Sequence, residues 1–98
     1  MNPGQLPPPY LLQMRLAAEA EATPSWTGDL SDDCTALWAG FMLRAEEMDR
    51  GIWWWATYVD ASNQQIASSN DTGVSPSTGE EARAAAFRAA RLYLHPEN

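Results

Sequence analysis

The sequence contains no lysine, and arginine supplies all six of its basic side chains against thirteen aspartates and glutamates. The formal net charge at pH 7 is −7. Proteins bind nucleic acids largely through Lys and Arg side chains that neutralise phosphates, and a strongly acidic chain repels a polyanion at long range. The composition therefore argues against a nucleic acid as the partner.

Cysteine and long apolar runs are also scarce. Cys34 is the only cysteine, so no disulfide can form within the chain, and a single thiol suits a reducing compartment. No apolar run approaches the ~20 residues that span a bilayer. The first ten residues hold four prolines and no basic region of the kind that opens a signal peptide. These features predict a cytoplasmic protein that does not enter a membrane.

The 98 residues suffice for one domain with a single modest core. We expect residues 1–9, which are rich in proline, to form a disordered or extended segment. Residues 10–95 then form the folded domain, and residues 96–98 form a short tail.

Three consecutive tryptophans, Trp53 to Trp55, mark the most distinctive stretch of the chain. Aromatic and β-branched residues dominate residues 52–59, which favours a central strand with both faces at least partly covered. Residues 36–47 alternate between two faces and predict the preceding strand, although their Ala, Leu, Met and Glu content leaves a helix as the competing interpretation. Residues 48–51 form the hairpin turn between these strands, and residues 64–69 form a shorter edge strand.

A helix is predicted on each side of these strands. Residues 10–22 consist of strong helix formers without an internal glycine or proline. Their apolar stripe is Leu12, Leu16 and Ala20, with Leu11, Met14 and Ala18 beside it. Residues 79–94 are rich in alanine, with acids at the start and arginines towards the end, as the helix dipole favours. The small side chains expected to face the sheet are Ala82, Ala85, Ala86 and Ala89.

The predicted fold class is α+β in the order α-β-β-β-α, a three-stranded antiparallel meander with two helices packed on one face. The predicted hairpin register places Phe41 on the same face as Trp54 and Tyr58, beneath the helices. The other face then carries Arg44 opposite Trp55, close enough for a cation–π contact. The predicted partner-binding residues on this second face are Trp38, Met42, Arg44, Trp53, Trp55 and Val59.

This element order resembles the double-stranded-RNA-binding-domain fold. The Ala-rich last helix, which opens with Ser77-Thr78-Gly79-Glu80-Glu81, is similar to the C-terminal helix of that family. The family grips phosphates with basic residues at the start of this helix, where the present chain has Gly79, Glu80 and Glu81. The resemblance therefore implies this architecture without RNA binding.

Two motifs suggest site chemistry, and each has a structural explanation. Asp71-Thr72-Gly73 matches the aspartic-protease triplet, but its polar neighbours in a loop indicate a turn. Asp29, Asp32 and Asp33 could ligate a hard cation, but the glycine and glutamate of a calcium loop are missing. We therefore expect no metal site.

Cys34 and His95 could act as a nucleophile and its base. His95 lies in the last helical turn, where a cation suits the helix dipole without any catalysis. The sequence also lacks a glycine-rich phosphate loop and a CxxC motif. These observations predict a protein that is not an enzyme and has no cofactor.

The sequence thus predicts a small acidic, non-catalytic interaction module of adaptor or inhibitor type. It would bind another protein, or itself as a homodimer, through the Trp-rich sheet face, since Trp and Arg dominate binding hot spots. Two alternatives stay open. The N-terminal segment or the loop around Trp26 could cover that face, or an aromatic pocket between sheet and helix could bind a flat or cationic small molecule.

Overall fold

A computed structural model describes residues 8–96 of the chain. The helices are α1 (Pro8–Ala20), α2 (Ser69–Thr72) and α3 (Gly79–Leu94). The strands are β1 (Thr27–Gly28), β2 (Asp33–Trp38), β3 (Phe41–Asp49), β4 (Ile52–Val59) and β5 (Gln64–Ser68). All neighbouring strands pair antiparallel, in the order β1-β2-β3-β4-β5. The α+β class is confirmed, whereas the sheet has five strands rather than the predicted three.

The predicted terminal segments fall largely outside the described part of the chain. Residues 1–7 and 97–98 lie there, and α1 already begins at Pro8 rather than at Tyr10. Within residues 8–96, no helix combines the length and the apolar character that crossing a bilayer requires.

The segment predicted as a single strand, residues 36–47, belongs to two strands joined by a tight turn. Ala39 and Gly40 adopt φ values of 52° and 86°. Two successive residues with positive φ form the hairpin turn whose twist matches that of antiparallel strands. Trp38 and Phe41 pair across this turn. Both the single-strand prediction and its helical alternative are therefore wrong here.

The pairing of β3 with β4 decides which side chains lie beneath the helix. Ala45 pairs with Trp55, and the ladder is irregular between Glu47 and Asp49. An extra residue at such a bulge exchanges the faces of every side chain that follows it in the strand. The predicted register is therefore wrong by one residue, and Trp54 lies on the face opposite to the one predicted.

Helix α3 covers one face of the sheet. Its buried side chains are Ala82, Ala86, Ala90 and Leu94. The large buried side chains of the sheet are Trp38, Phe41, Leu43, Trp53, Trp55 and Val59. Thr57 lies among them, and its Oγ1 donates a hydrogen bond to the carbonyl oxygen of Ala86 at 2.7 Å. The predicted packing of small helix residues on large sheet residues is confirmed for Ala82 and Ala86, whereas Ala85 and Ala89 are only half-buried and Ala90 is buried instead. Trp53 and Trp55 occupy the positions expected for Trp54 and Tyr58.

Helix α1 lies beside the C-terminal end of α3 and the β2–β3 turn. Its fully buried side chain is Met14, which contacts the turn next to Gly40. Leu12 and Leu16 are 57% and 56% exposed. The predicted apolar stripe therefore faces solvent, because the helix is rotated so that Met14 points inwards instead.

Candidate functional site

The face of the sheet opposite α3 forms the candidate site, and we call it the open face. Its side chains alternate along each strand with those of the buried core. On the three central strands, the open face comprises Asp33, Thr35 and Leu37 of β2, Met42, Arg44 and Glu46 of β3, and Trp54, Tyr58 and the buried Ala56 of β4.

Apolar and aromatic side chains run across three strands of the open face. Leu37 pairs with Met42, which pairs with Tyr58, so these three side chains form one row. Leu37 is 65% exposed, and Met42, Tyr58 and Trp54 are half-buried. A solvated antiparallel face normally carries polar residues at such positions. This row is therefore the most apolar part of the open face.

Arg44 occupies the middle of the open face and contacts side chains on both neighbouring strands. Its Cζ lies 5.8 Å from the centroid of the Trp54 ring. Its Nη2 lies 3.5 Å from Asp33 Oδ2 and 3.4 Å from Glu46 Oε2. Exposed ion pairs of this length stabilise a fold by only ~0–1 kcal/mol each. Their effect is to hold the guanidinium against the indole, where the predicted partner had been Trp55.

One end of the sheet next to the open face is strongly acidic, and we call it the acidic end. Its carboxylates belong to Asp29, Asp32, Asp33, Glu46, Glu47 and Asp49. Backbone bonds hold them together, since Glu47 N donates to Asp32 O at 2.7 Å and Asp29 N donates to Asp33 O at 3.0 Å. Hydrogen bonds from the Ser31 hydroxyl and backbone N–H hold the pKa of the Asp29 carboxyl below its ordinary value. Among residues 8–96, no three His, Cys, Asp or Glu side chains are grouped so that they could hold a metal ion.

The structure separates the six predicted partner-binding residues into two groups. Trp38, Trp53, Trp55 and Val59 lie in the core, where the most accessible is Trp55 at 6%. The prediction that these four form a surface is wrong, because the bulge in β3 and the missed turn before it place them beneath α3. Met42 and Arg44 lie on the open face, as predicted.

Sequence reasoning assigned three large apolar or aromatic residues of the open face to the wrong side of the sheet. Trp54 and Tyr58 had been assigned to the core, and Leu37 to the same side as Phe41. The two-residue alternation in β4 does place Trp54 with Tyr58. A sequence signal for the β-bulge near Met48 would have shown on which face of the sheet Trp54 and Tyr58 lie.

The remaining sequence motifs have local structural roles. The carboxylate of Asp71 accepts from Ser68 N at 2.9 Å, within a capping box at the start of α2. Cys34 is buried next to Arg83, whose Nη1 is 4.0 Å from its Sγ. Arg83 belongs to α3, and His95 caps the end of α3 about three turns further on. The structure therefore does not bring His95 near Cys34.

Comparisons of the chain with family models, with curated proteins and with solved structures find no match. The resemblance to the double-stranded-RNA-binding-domain fold thus stays an expectation. The function of this domain has to be argued from the chemical character of its surfaces.

Proposed function

We propose that this protein is a non-catalytic interaction module that binds a partner protein through the open face. The observation that supports this proposal is the row of Leu37, Met42 and Tyr58 beside the Arg44–Trp54 pair, a row that no helix of residues 8–96 covers. Aromatic residues, Met and Arg are enriched in the centres of protein interfaces, and Trp, Tyr and Arg dominate their hot spots.

The alternative in which Trp26 covers this face is disfavoured by its position. Trp26 packs against the buried core on the side of α3, and the next residue, Thr27, pairs with Thr35 on the open face. The loop therefore extends the sheet at its edge instead of folding across it.

The charge distribution favours a partner with basic residues. The acidic end borders the open face, and the whole chain carries a net charge of −7. A second copy of the same chain would bring the same charge, and like charges raise the free energy of association. A partner whose apolar centre is bordered by Lys or Arg would instead be attracted, and salt would slow its association. We therefore favour a basic partner protein over a homodimer.

Photo-crosslinking from the open face tests this proposal. Tyr58 is replaced by p-benzoylphenylalanine in cells of the source organism, and adducts are identified by mass spectrometry. Val74, which is 71% exposed in the loop after α2, provides the matched control position. We expect an adduct with a basic protein from position 58 only, and we expect the additional substitution Trp54→Ser to remove it.

Three results would count against the proposal in different ways. Identical adducts from positions 58 and 74 would show non-specific contact, and the complete lack of adducts from position 58 would remove the interface. An adduct of two copies of this chain would retain the open face as an interface but replace the basic partner with self-association. Sedimentation velocity over a concentration series distinguishes this last case.

A further inference from the structure

A groove of about 620 Å³ lies between α1 and the C-terminal half of α3. Apolar side chains from both helices line it, namely Ala18 and Ala22 on one side and Leu92 on the other. The edge of Trp38, a residue that is 3% exposed, closes its base. Small-molecule sites typically have volumes of about 300–1,000 Å³ and are lined mainly by apolar groups.

Basic side chains converge on this groove in an otherwise acidic chain. Three of the six arginines and the only histidine line it: Arg15, Arg88, Arg91 and His95. Glu19 is the only carboxylate among the lining residues. Within residues 8–96, the ion pairs that form all belong to Arg44 on the open face. Among the described residues 8–96, no carboxylate therefore lies at ion-pair distance from the groove arginines, although acids outnumber arginines thirteen to six in the sequence.

Two of these arginines are held in place by contacts that leave their outer N–H groups available. Arg15 donates from Nε to the carbonyl oxygen of Leu94 at 2.9 Å, a bond that does not use the N–H groups of its two terminal nitrogens. The Cζ of Arg91 lies 4.9 Å from the centroid of the Phe87 ring. Phe87 packs edge-on against Trp38, with the ring centroids 4.9 Å apart. Arg91 is thus linked through Phe87 to Trp38, which lines the groove.

The helix dipole alone does not explain this arrangement. It favours a cation in the last turn of α3, which accounts for Arg91 but not for Arg88, which lies further from the helix end. Arg15, however, belongs to α1. The hydrogen bond from Arg15 to the carbonyl oxygen of Leu94 joins α1 to the C-terminal end of α3. Trp38 further fixes α1, since its Nε1 donates to the carbonyl oxygen of Glu21 at 2.6 Å. The fold therefore brings guanidinium groups from two separate helices to one apolar groove.

We propose that this groove binds a small amphipathic anion, that is, a carboxylate, sulfonate or phosphate group carried on an apolar body. The planar guanidinium groups of Arg15, Arg88 and Arg91 present paired N–H donors that match such oxyanions. The apolar body lies against Ala18 and Leu92. The charge of this ligand is opposite to that of the cationic molecule considered from the sequence, because three arginines line the groove.

Two fluorescent probes with the same rings test this proposal on the full chain. Anilinonaphthalene sulfonate carries one anionic group, whereas N-phenylnaphthylamine has the same aromatic body without it. We expect the sulfonate to bind more tightly than the neutral probe. Arg88→Gln and Arg91→Gln should each weaken sulfonate binding by about three- to tenfold, as expected for the loss of a partly exposed charged contact.

Arg50→Gln is the matched control, because it removes the same charge from an exposed arginine in the β3–β4 turn, away from the groove. Arg50→Gln should leave sulfonate binding unchanged, and none of the three variants should change binding of the neutral probe. Urea unfolding of each variant verifies that the fold is retained. An equal loss in Arg50→Gln would show a general effect of net charge, and equal affinity for both probes would show purely apolar binding. Either result overturns the proposal.

The location of the bound sulfonate provides the decisive second readout. Amide chemical shifts in solution should change at Ala18, Ala22 and Leu92. Changes confined to the open face around Trp54 would overturn the groove as the site. This inference does not depend on the proposed protein interface, and Trp54→Ser should abolish the crosslinked adduct while leaving sulfonate affinity intact.

Discussion

Trp53 occupies the space beside Gly79, the first residue of α3. A Cβ atom added to Gly79 would lie 2.8 Å from Cη2 and 2.9 Å from Cζ2 of the indole. Carbon atoms in close-packed interiors do not approach so closely, so the buried ring would have to move. The lack of a side chain at this position is therefore what lets the start of α3 lie directly on Trp53.

Gly79→Ala should destabilise the protein, although alanine is the better helix former. Propensity favours alanine by at most about 1 kcal/mol, whereas overpacking a buried ring costs about 1–3 kcal/mol. We expect the free energy of unfolding in urea to fall by about 1–2 kcal/mol. The control is Ala84→Gly, an exposed position of α3, which should cost about 1 kcal/mol through propensity alone. A Gly79→Ala variant more stable than the parent would contradict the contact.

Trp53→Phe and Trp54→Phe should have clearly different effects on stability. Trp53 is 4% exposed, so the smaller ring leaves a cavity beneath α3 that costs about 1–2 kcal/mol. Trp54 is half-buried on the open face, where the same change should cost about 0.5 kcal/mol or less. Thermal or urea unfolding of both variants measures the difference. Equal losses, or a larger loss at Trp54, would mean that the two indoles have been assigned to the wrong faces.

The parts of the fold that local rules determine could be predicted from the sequence. Helix α3 spans Gly79–Leu94, the same bounds that alanine content, capping residues and charge order indicate. The Thr78 side chain accepts from Glu81 N at 3.1 Å and so caps the start of this helix. The hairpin between β3 and β4 is also where the sequence places it.

The faces of β4 could not be predicted, because they depend on a single irregularity in its pairing with β3. The bulge between Glu47 and Asp49 shifts the pairing by one residue, and side chains in a strand change face at every residue. Met42 and Arg44 were assigned to the correct face because both precede the bulge and alternate with Leu43. The tryptophans follow the bulge, so all three were assigned to the wrong side.

The β2–β3 turn escaped prediction for a different reason. Hairpin turns with two positive φ values are usually signalled by Asn-Gly or Asp-Gly, and an alanine in this conformation is uncommon. The chain uses Ala39 with φ 52° before Gly40. The pattern of apolar residues continues across this pair, so the sequence reads as one long strand.

Gly40→Ala should destabilise the protein through this turn. Gly40 has φ 86°, and a Cβ there would lie 3.2 Å from Cγ and Cε of Met14. An L-residue in left-handed backbone costs about 1–2 kcal/mol, and we expect a loss of that size in urea unfolding. Ala39→Gly is the control. Glycine relieves the strain of the left-handed backbone but increases the conformational entropy of the unfolded chain, so the two effects oppose each other. We expect the free energy of unfolding to change by less than about 1 kcal/mol. Unchanged stability in Gly40→Ala would show that the turn adapts.

Asp29 and Ser31 form a small hydrogen-bonded loop at the acidic end. Asp29 Oδ1 accepts from Ser31 Oγ at 2.6 Å and from Ser31 N at 2.9 Å. Both bonds favour the ionised carboxylate, and the hydroxyl has the larger effect in lowering the pKa of Asp29. Because the pKa is lower in the folded state, the contribution of this loop to stability is fully present above the pKa of the unfolded chain. It is lost as the pH falls through the pKa of the folded state.

Ser31→Ala should therefore raise the pKa of Asp29 towards its ordinary value without reaching it, since the bond from the backbone N–H remains. Carboxyl carbon shifts followed through an acid titration measure this pKa in the folded protein. Ser25→Ala, another exposed serine, is the control and should leave the pKa unchanged. The free energy of unfolding should differ between Ser31→Ala and the parent at neutral pH, and the difference should shrink in acid once Asp29 is protonated in both. An Asp29 pKa that does not respond to Ser31→Ala would show that the hydrogen bond from the hydroxyl does not form in solution. In that case the pH-dependent difference in unfolding free energy between Ser31→Ala and the parent should also be missing.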